Sequence, residues 1–396
     1  MAAPVTTQLS PKERMLRALC GEAPDVLPAA PAYLSLFLAD FVRNYYAEQL
    51  RRRMRGRCSL HIDHDEDTSI RAEAFLHAYG IFKTRPDWIE VDAGPSRAWS
   101  ARTDIIAVDG MLLYEDRLTG RQTPVIASRP ITDLWDLSSE LRDAADVDAR
   151  LPIVPAEDLQ ASGSFDLPRQ IAAEYGDEYL ITTILDTPFS DAYDLLGFQG
   201  LMLTQHDRPD LLHHLLQRKL AQSTEVMAAW AATGVHAVYV EEVFTGADLI
   251  SPRSYDHFVF AYNQPYFRHM RSLGLLPIHY VCGDVIPRLD RICQYDIAAV
   301  AVEESKKSFT IDLEEVVKRV DGRAAVLGNI DAVRFGLQAG LDEMAAEVHR
   351  QARIGRRARG FIASTGSPFP LDTNPRLIDT LVAAAHSIPG SPEHRG

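Results

Sequence analysis

The chain has 396 residues, 46% of them hydrophobic and 24% charged, with 41 Lys and Arg against 55 Asp and Glu. That composition suits a globular protein with room for one barrel-sized domain or two ordinary ones. A formal charge of −14 leaves no basic excess to neutralise phosphates, so a general nucleic-acid or anionic-membrane binder is excluded.

In chain order, the apolar β-rich runs begin with Val26–Ala30 and Asp87–Val91, and continue with Leu180–Leu185 and Ala237–Glu241. Leu275–Tyr280, Ile297–Val302, Ala324–Leu327 and Gly360–Ala363 complete the set. Amphipathic stretches separate most of them, such as Asp210–Thr233 and the acidic-to-basic run Asp312–Val320. Strands alternating with helices argue for a parallel sheet, and this many continuous apolar runs argue for an α/β fold with a single (β/α)8 TIM-type barrel over residues 10–388. A hairpin excursion is expected near residues 103–126, turning at Asp109-Gly110 and again at Thr119-Gly120. The polar stretch His61–Asp67 reads as a solvated loop, and Arg51–Arg55 as a solvated helix face. Residues 1–9 and 389–396 read as flexible termini. Cys20, Cys58, Cys282 and Cys293 form no disulfide framework, and no apolar run has spanning length. With no signal-peptide pattern at the start, the expected location is cytoplasmic.

A polar residue just beyond each barrel strand would point into one funnel. In order these are Tyr33, Asp92, Asp186, one of Glu241 and Glu242, His279 with Cys282, Glu303 or Glu304, Asn329 with Asp331, and Ser364, Thr365 and Ser367. Adjacent residues on a strand face opposite ways, so at most one of Glu241 and Glu242 enters the funnel, as base, clamp or ligand. His279 and Cys282, with a carboxylate from Glu303 or Glu304, have the N/S/O mix that zinc accepts. The bland alternative is a hydrogen-bonded barrel histidine beside an inert buried cysteine. Tyr193 falls in the first turn of the helix after Asp186, over the expected pocket.

Several motifs together resemble one family. Pro11–Leu19 with Gly21, Asp25 and Pro28, then Thr187-Pro188-Phe189 with Tyr193 and Gly197, are similar to the uroporphyrinogen decarboxylase superfamily. So are Cys282-Gly283-Asp284, Gly328-Asn329-Ile330-Asp331 and Pro370–Thr373. The superfamily also contains corrinoid-linked, zinc-dependent methyltransferases of the coenzyme M type. The resemblance implies the same barrel over residues 10–388. It departs from the decarboxylases proper where their Arg-Gln-Ala-Gly-Arg run would stand: Pro31-Ala32-Tyr33-Leu34-Ser35 has no arginine to grip a porphyrinogen's carboxylates. It departs from the methyltransferases in the spacing of His279 and Cys282, one residue longer than their His-x-Cys. Ser364, Thr365 or Ser367 falls where their closing cysteine would be. A one-residue shift along a strand turns a side chain to the other face unless a bulge restores it.

The resemblance implies a methyltransferase-like enzyme moving a methyl group between a small or corrinoid donor and a small acceptor. His279, Cys282, Glu303 and Glu304 are its candidate zinc ligands. Tyr193, Glu242, Asn329 and Asp331 are the candidate catalytic residues, and Tyr33, Asp92, Asp186 and Ser367 the candidate substrate contacts. Expected partners are a small-molecule substrate and a corrinoid protein, with a homodimer as candidate assembly and no nucleic acid or membrane. The alternatives are a metal-independent decarboxylase or lyase acting on a small carboxylated substrate, and a non-catalytic small-molecule binder on the same scaffold.

Overall fold

The computed structural model describes residues 8–126, 140–306 and 308–390. Its strands in chain order are β1 (Ser59–His61), β2 (Trp88–Glu90), β3 (Thr103–Val108), β4 (Met111–Asp116) and β5 (Gln122–Pro124). They continue as β6 (Leu180–Asp186), β7 (Ala237–Glu242), β8 (Leu276–Val281), β9 (Ala299–Val302), β10 (Ala325–Leu327) and β11 (Phe361–Ile362).

Two sheets result. A curled parallel sheet runs β11-β10-β9-β8-β7-β6-β2, with helices such as Pro209–Ala231 and Ala261–Ser272 in the connections. The expected first strand is reduced to an isolated bridge, Ala29 to Ala363. Its backbone reaches both sheet edges: Ala30 N donates to Ala363 O at 2.8 Å, and Asp87 N to Ala29 O at 2.9 Å. Side chains on alternate positions split into two cores. Trp88, Tyr239, Ile278, Tyr280, Ala299, Ala301 and Leu327 share an inner cluster, capped at one end by Met15 and Leu19 of the helix Pro11–Cys20. Val238, Val240, Val281, Val300 and Val302 face the helical layer, where Phe267, Met270 and Val316 lie.

The second sheet, ordered β1-β3-β4-β5, is antiparallel. It contains the expected hairpin, turned by Asp109 and Gly110, both at positive φ. It starts earlier than expected, because Ser59–His61 pairs with Asp104–Ile106. The stretch His61–Asp67 is therefore no solvated loop. Asp63 caps a helix, His64–Tyr79, whose first turn carries Asp65, Glu66 and Asp67, where the helix dipole favours negative charge. Arg51–Arg53 do close the helix Leu34–Met54.

The chain ends are more tied down than expected. Leu9 N donates to Asp25 Oδ2 at 3.1 Å, and Gly390 N to Asp25 O at 3.1 Å; residues 1–7 and 391–396 lie outside the described residues. Deeper in, Asp87 is fully buried and accepts from Arg14 at 2.5 Å, Ala29 N at 2.7 Å and His386 Nε2 at 2.8 Å. One carboxylate thus joins the first helix, the first strand segment and the last helix. Among the described residues no helix is long and apolar enough to cross a membrane.

Candidate active site

The alternation of the strands decides which polar residues meet. On β7, Ala237 and Tyr239 lie in the inner cluster while Val238 and Val240 face the helices; Glu241 therefore points inward and Glu242 outward. On β8, Tyr280 and Cys282 belong to the inner cluster, and His279 takes the opposite face. The same parity carries Glu90 and Asp92 beyond Trp88, Glu303 beyond Ala299 and Ala301, and Asn329 beyond Ala325 and Leu327.

The inner rim is thus acidic and phenolic. Glu90 is buried and accepts the backbone N–H groups of Tyr33 and Ser35, each at 2.9 Å. Burial pushes its carboxyl up to about 8. Asp186 lies in the open cleft, where the enclosing walls, with the Glu241 charge, push its carboxyl up to about 7. Burial also raises Glu241, with Glu303 adding to it, and raises Asp92. The Cys282 thiol is pushed well up by burial and by the charges of Glu241 and Glu303, so it is a neutral thiol. Tyr33 packs edge-on to Tyr239 and Tyr280, at 5.4 and 5.6 Å between ring centres. The Tyr33 hydroxyl lies against Glu241, the Tyr239 hydroxyl is buried without a hydrogen-bond partner, and Tyr280 donates to Gly366 O at 2.7 Å.

On the rim's far side, Glu303 accepts Gly283 N at 2.9 Å and pairs with Lys306 at 3.2 Å. Glu304 is buried, accepts Ser367 Oγ at 2.9 Å and is also paired with Lys306. Gly366 is required there, because a Cβ would stand 2.4 Å from Glu304 N. Beside Asp186 opens a cavity of about 360 Å³, lined by Ile184, Leu185, Asp191, Gln222, Val226 and Tyr266.

His279 belongs to a different, fully buried network. It is fully buried, its ring 4.8 Å from Phe267 and 5.6 Å from Tyr295 between ring centres, and its Nε2 is 3.1 Å from Glu242 Oε2. Glu242, also fully buried, accepts from Thr245 Oγ1 at 2.6 Å and Asn263 Nδ2 at 2.5 Å. The expected ligand set is therefore split. His279 and Cys282 leave opposite faces of β8, and Glu242 sits with His279 behind the strands rather than in the funnel. Among the described residues, one trio alone brings ligand atoms within 4.8 Å of one another, and it is His64, Asp65 and Asp166. Arg97 bridges those two carboxylates at 3.0 and 2.6 Å, so guanidinium already occupies them.

The remaining expected residues divide in the same way. Tyr33, Asp92 and Asp186 are at the funnel rim. Asn329 holds the Glu303 carbonyl at 3.2 Å, and Ser367 holds Glu304. Asp331 is a helix cap, accepting Arg334 N at 2.9 Å. Tyr193 packs on Phe244, at 4.6 Å between ring centres. Sequence reasoning passed over Glu90, Tyr239 and Tyr280; stepping back two residues at a time from Asp92, Glu241 and Cys282 reaches all three.

Residues 135–388 match the family model described as uroporphyrinogen decarboxylase (URO-D). The chain belongs to the uroporphyrinogen decarboxylase family. The uroporphyrinogen decarboxylase of Salinispora tropica is 26% identical over 305 residues, 73% of this chain and 76% of that protein. That of Xanthomonas euvesicatoria is 28% identical over 185 residues, 46% of this chain and 51% of that protein. The chain thus spans about half the length of several curated relatives it matches. Among solved structures, a methyltransferase from Methanosarcina mazei superposes with a TM-score of 0.66 at 19% identity, covering 96% of this chain and 99% of that one. That likeness shows a shared fold.

Proposed function

We propose that the protein is a methyl-transfer enzyme of this family, with segment 26–30 closing the curled sheet into an eight-stranded barrel. Its chemistry is acid–base catalysis by inward carboxyls at the strand ends. The observation that carries the reading is the placement of Glu241 and Asp186 on the inner rim, both raised, beside the phenol of Tyr33 and the unpartnered phenol of Tyr239. Asp186, its carboxyl pushed up to about 7, is matched to exchanging a proton at working pH, and Glu241 is raised in the same direction. A quaternary ammonium donor leaves as a neutral amine and needs no proton, whereas when a methyl group leaves a neutral ether or thioether the heteroatom keeps the bonding pair and needs one. Glu241 supplies it, and in the reverse direction takes it from the acceptor. Asp186 exchanges the proton with solvent across the open cleft. Glu303, fixed by Gly283 N and Lys306, holds the rim in shape. A corrinoid, the methyl carrier implied by the family resemblance, would supply the nucleophile or the methyl group from the open end of the funnel.

Zinc does not fit this donor set, because the only histidine of the expected set lies behind the strand, bonded to Glu242. Methyl transfer is favoured over porphyrinogen decarboxylation by the arginine-free loop 31–35 and by the methyltransferase fold neighbour. The names of the curated relatives favour a second reading, a metal-independent decarboxylase or lyase using the same carboxyls.

Incubating the protein with reduced free cobalamin and a panel of methylated ethers, amines and thiols tests the proposal. Methylcobalamin should form with at least one donor. Release of CO2 from a carboxylated substrate, with no methyl transfer from any donor, would replace it by the second reading.

A further inference from the structure

The inner rim carries more negative charge than its own cations answer. Among the described residues, Asp92, Asp186 and Glu241 have no ion pair. Lys306 is taken by Glu303 and Glu304, and Lys219 by Asp191 at 2.9 Å. Such carboxyls raise one another's pKa and oppose the ionised form unless a positive charge joins them. A second observation points to the same space. The Tyr239 hydroxyl is buried, lacks a partner, and has Glu90, Cys282 and Glu241 as electrostatic neighbours. A buried hydroxyl without a partner loses about 1–3 kcal/mol of solvation that a ligand atom can restore. The same rim repels carboxylates.

We propose that the funnel binds an organic cation, an ammonium-bearing small molecule. Its positive centre lies among Asp186, Glu241 and Glu303, and a polar atom of it meets the Tyr239 hydroxyl. Phenol rings beside carboxylates are a favourable surface for quaternary ammonium groups, which are weakly hydrated and attracted to aromatic faces. The proposal rests on the strand-end funnel being the working site, and names the class of substrate it takes.

Calorimetric titration of the full chain with choline, with its neutral carbon isostere 3,3-dimethylbutan-1-ol, and with the tricarboxylate citrate tests it. Choline should bind at least about tenfold more tightly than the isostere, and citrate should not compete. Glu241→Gln should weaken choline about tenfold and leave the isostere unchanged. Tyr239→Phe should weaken choline by a smaller factor, and the unfolding midpoint of each variant checks that it is folded. Equal binding of the isostere, tighter binding of citrate, or no choline binding at concentrations on the order of millimolar overturns the proposal. Because binding is read without turnover, choline binding with no methyl transfer removes the reaction and keeps the cation. Methyl transfer from a neutral donor, with no cation binding, does the reverse.

Discussion

Replacing Glu242 by alanine separates the two faces of the sheet. The carboxylate is fully buried and accepts from Thr245, Asn263 and His279 at 2.6, 2.5 and 3.1 Å. Its loss leaves those buried donors facing a cavity, each unsatisfied group worth about 1–3 kcal/mol. The penalties are not additive, since the freed side chains can turn to one another, and removing one member of a buried charged network typically costs about 3–5 kcal/mol. Against a stability of about 5–15 kcal/mol that is a large fraction. Urea unfolding followed by circular dichroism should therefore show a much lower midpoint with little change in slope. Glu242→Gln, which keeps the shape and one acceptor oxygen, should recover part of the loss. An alanine variant that unfolds at the wild-type midpoint yet loses activity would refute the reasoning, because it would put Glu242 in the funnel.

Asp87→Ala should destabilise by a comparable amount, about 3–5 kcal/mol, since it strands Arg14, Ala29 N and His386 at once, which thermal or urea unfolding would show. Asp186, raised to about 7 in the folded chain, holds more protons folded than unfolded. Its contribution is favourable at acid pH and is lost as pH rises towards about 7. Asp186→Asn should therefore raise the unfolding midpoint more at pH ~8 than at pH ~5, and equal shifts at the two pH values would count against the raised carboxyl. Metal analysis of the purified protein should find less than one zinc per chain, and activity should survive chelators. One zinc per chain lost on His279→Ala would reverse the placement of that residue.

The strands were legible because each is an apolar run bounded by turns, and all but the first appear as strands near their expected limits. Val26–Ala30 is short and proline-broken at Pro28 and Pro31, which reduces it to a bridge. Ser59–His61 was missed because nothing in so short and polar a run marks a strand; its pairing with Asp104–Ile106 comes from the tertiary fold. At the site, the strand ends were found, and the pleat already limited the funnel to one of Glu241 and Glu242 without saying which. The parity was available on β7, where Tyr239 and Glu241 alternate with valines, and on β8, where His279 and Cys282 are an odd number of residues apart. Residue types allowed a zinc site at His279; the pleat turns that residue to the face opposite Cys282. The unpartnered phenol of Tyr239 could not be read at all, since a tyrosine's hydroxyl partner is a property of packing.

The most direct measurement is the rate of methyl transfer to cobalamin by Glu241→Gln and His279→Asn, each beside its own unfolding midpoint. The account predicts that Glu241→Gln keeps its midpoint while turnover falls about a hundredfold or more, as for loss of a general acid or base. It predicts that His279→Asn loses stability and keeps turnover while folded. Wild-type turnover in Glu241→Gln, with inactivity in a fully folded His279→Asn, would contradict it.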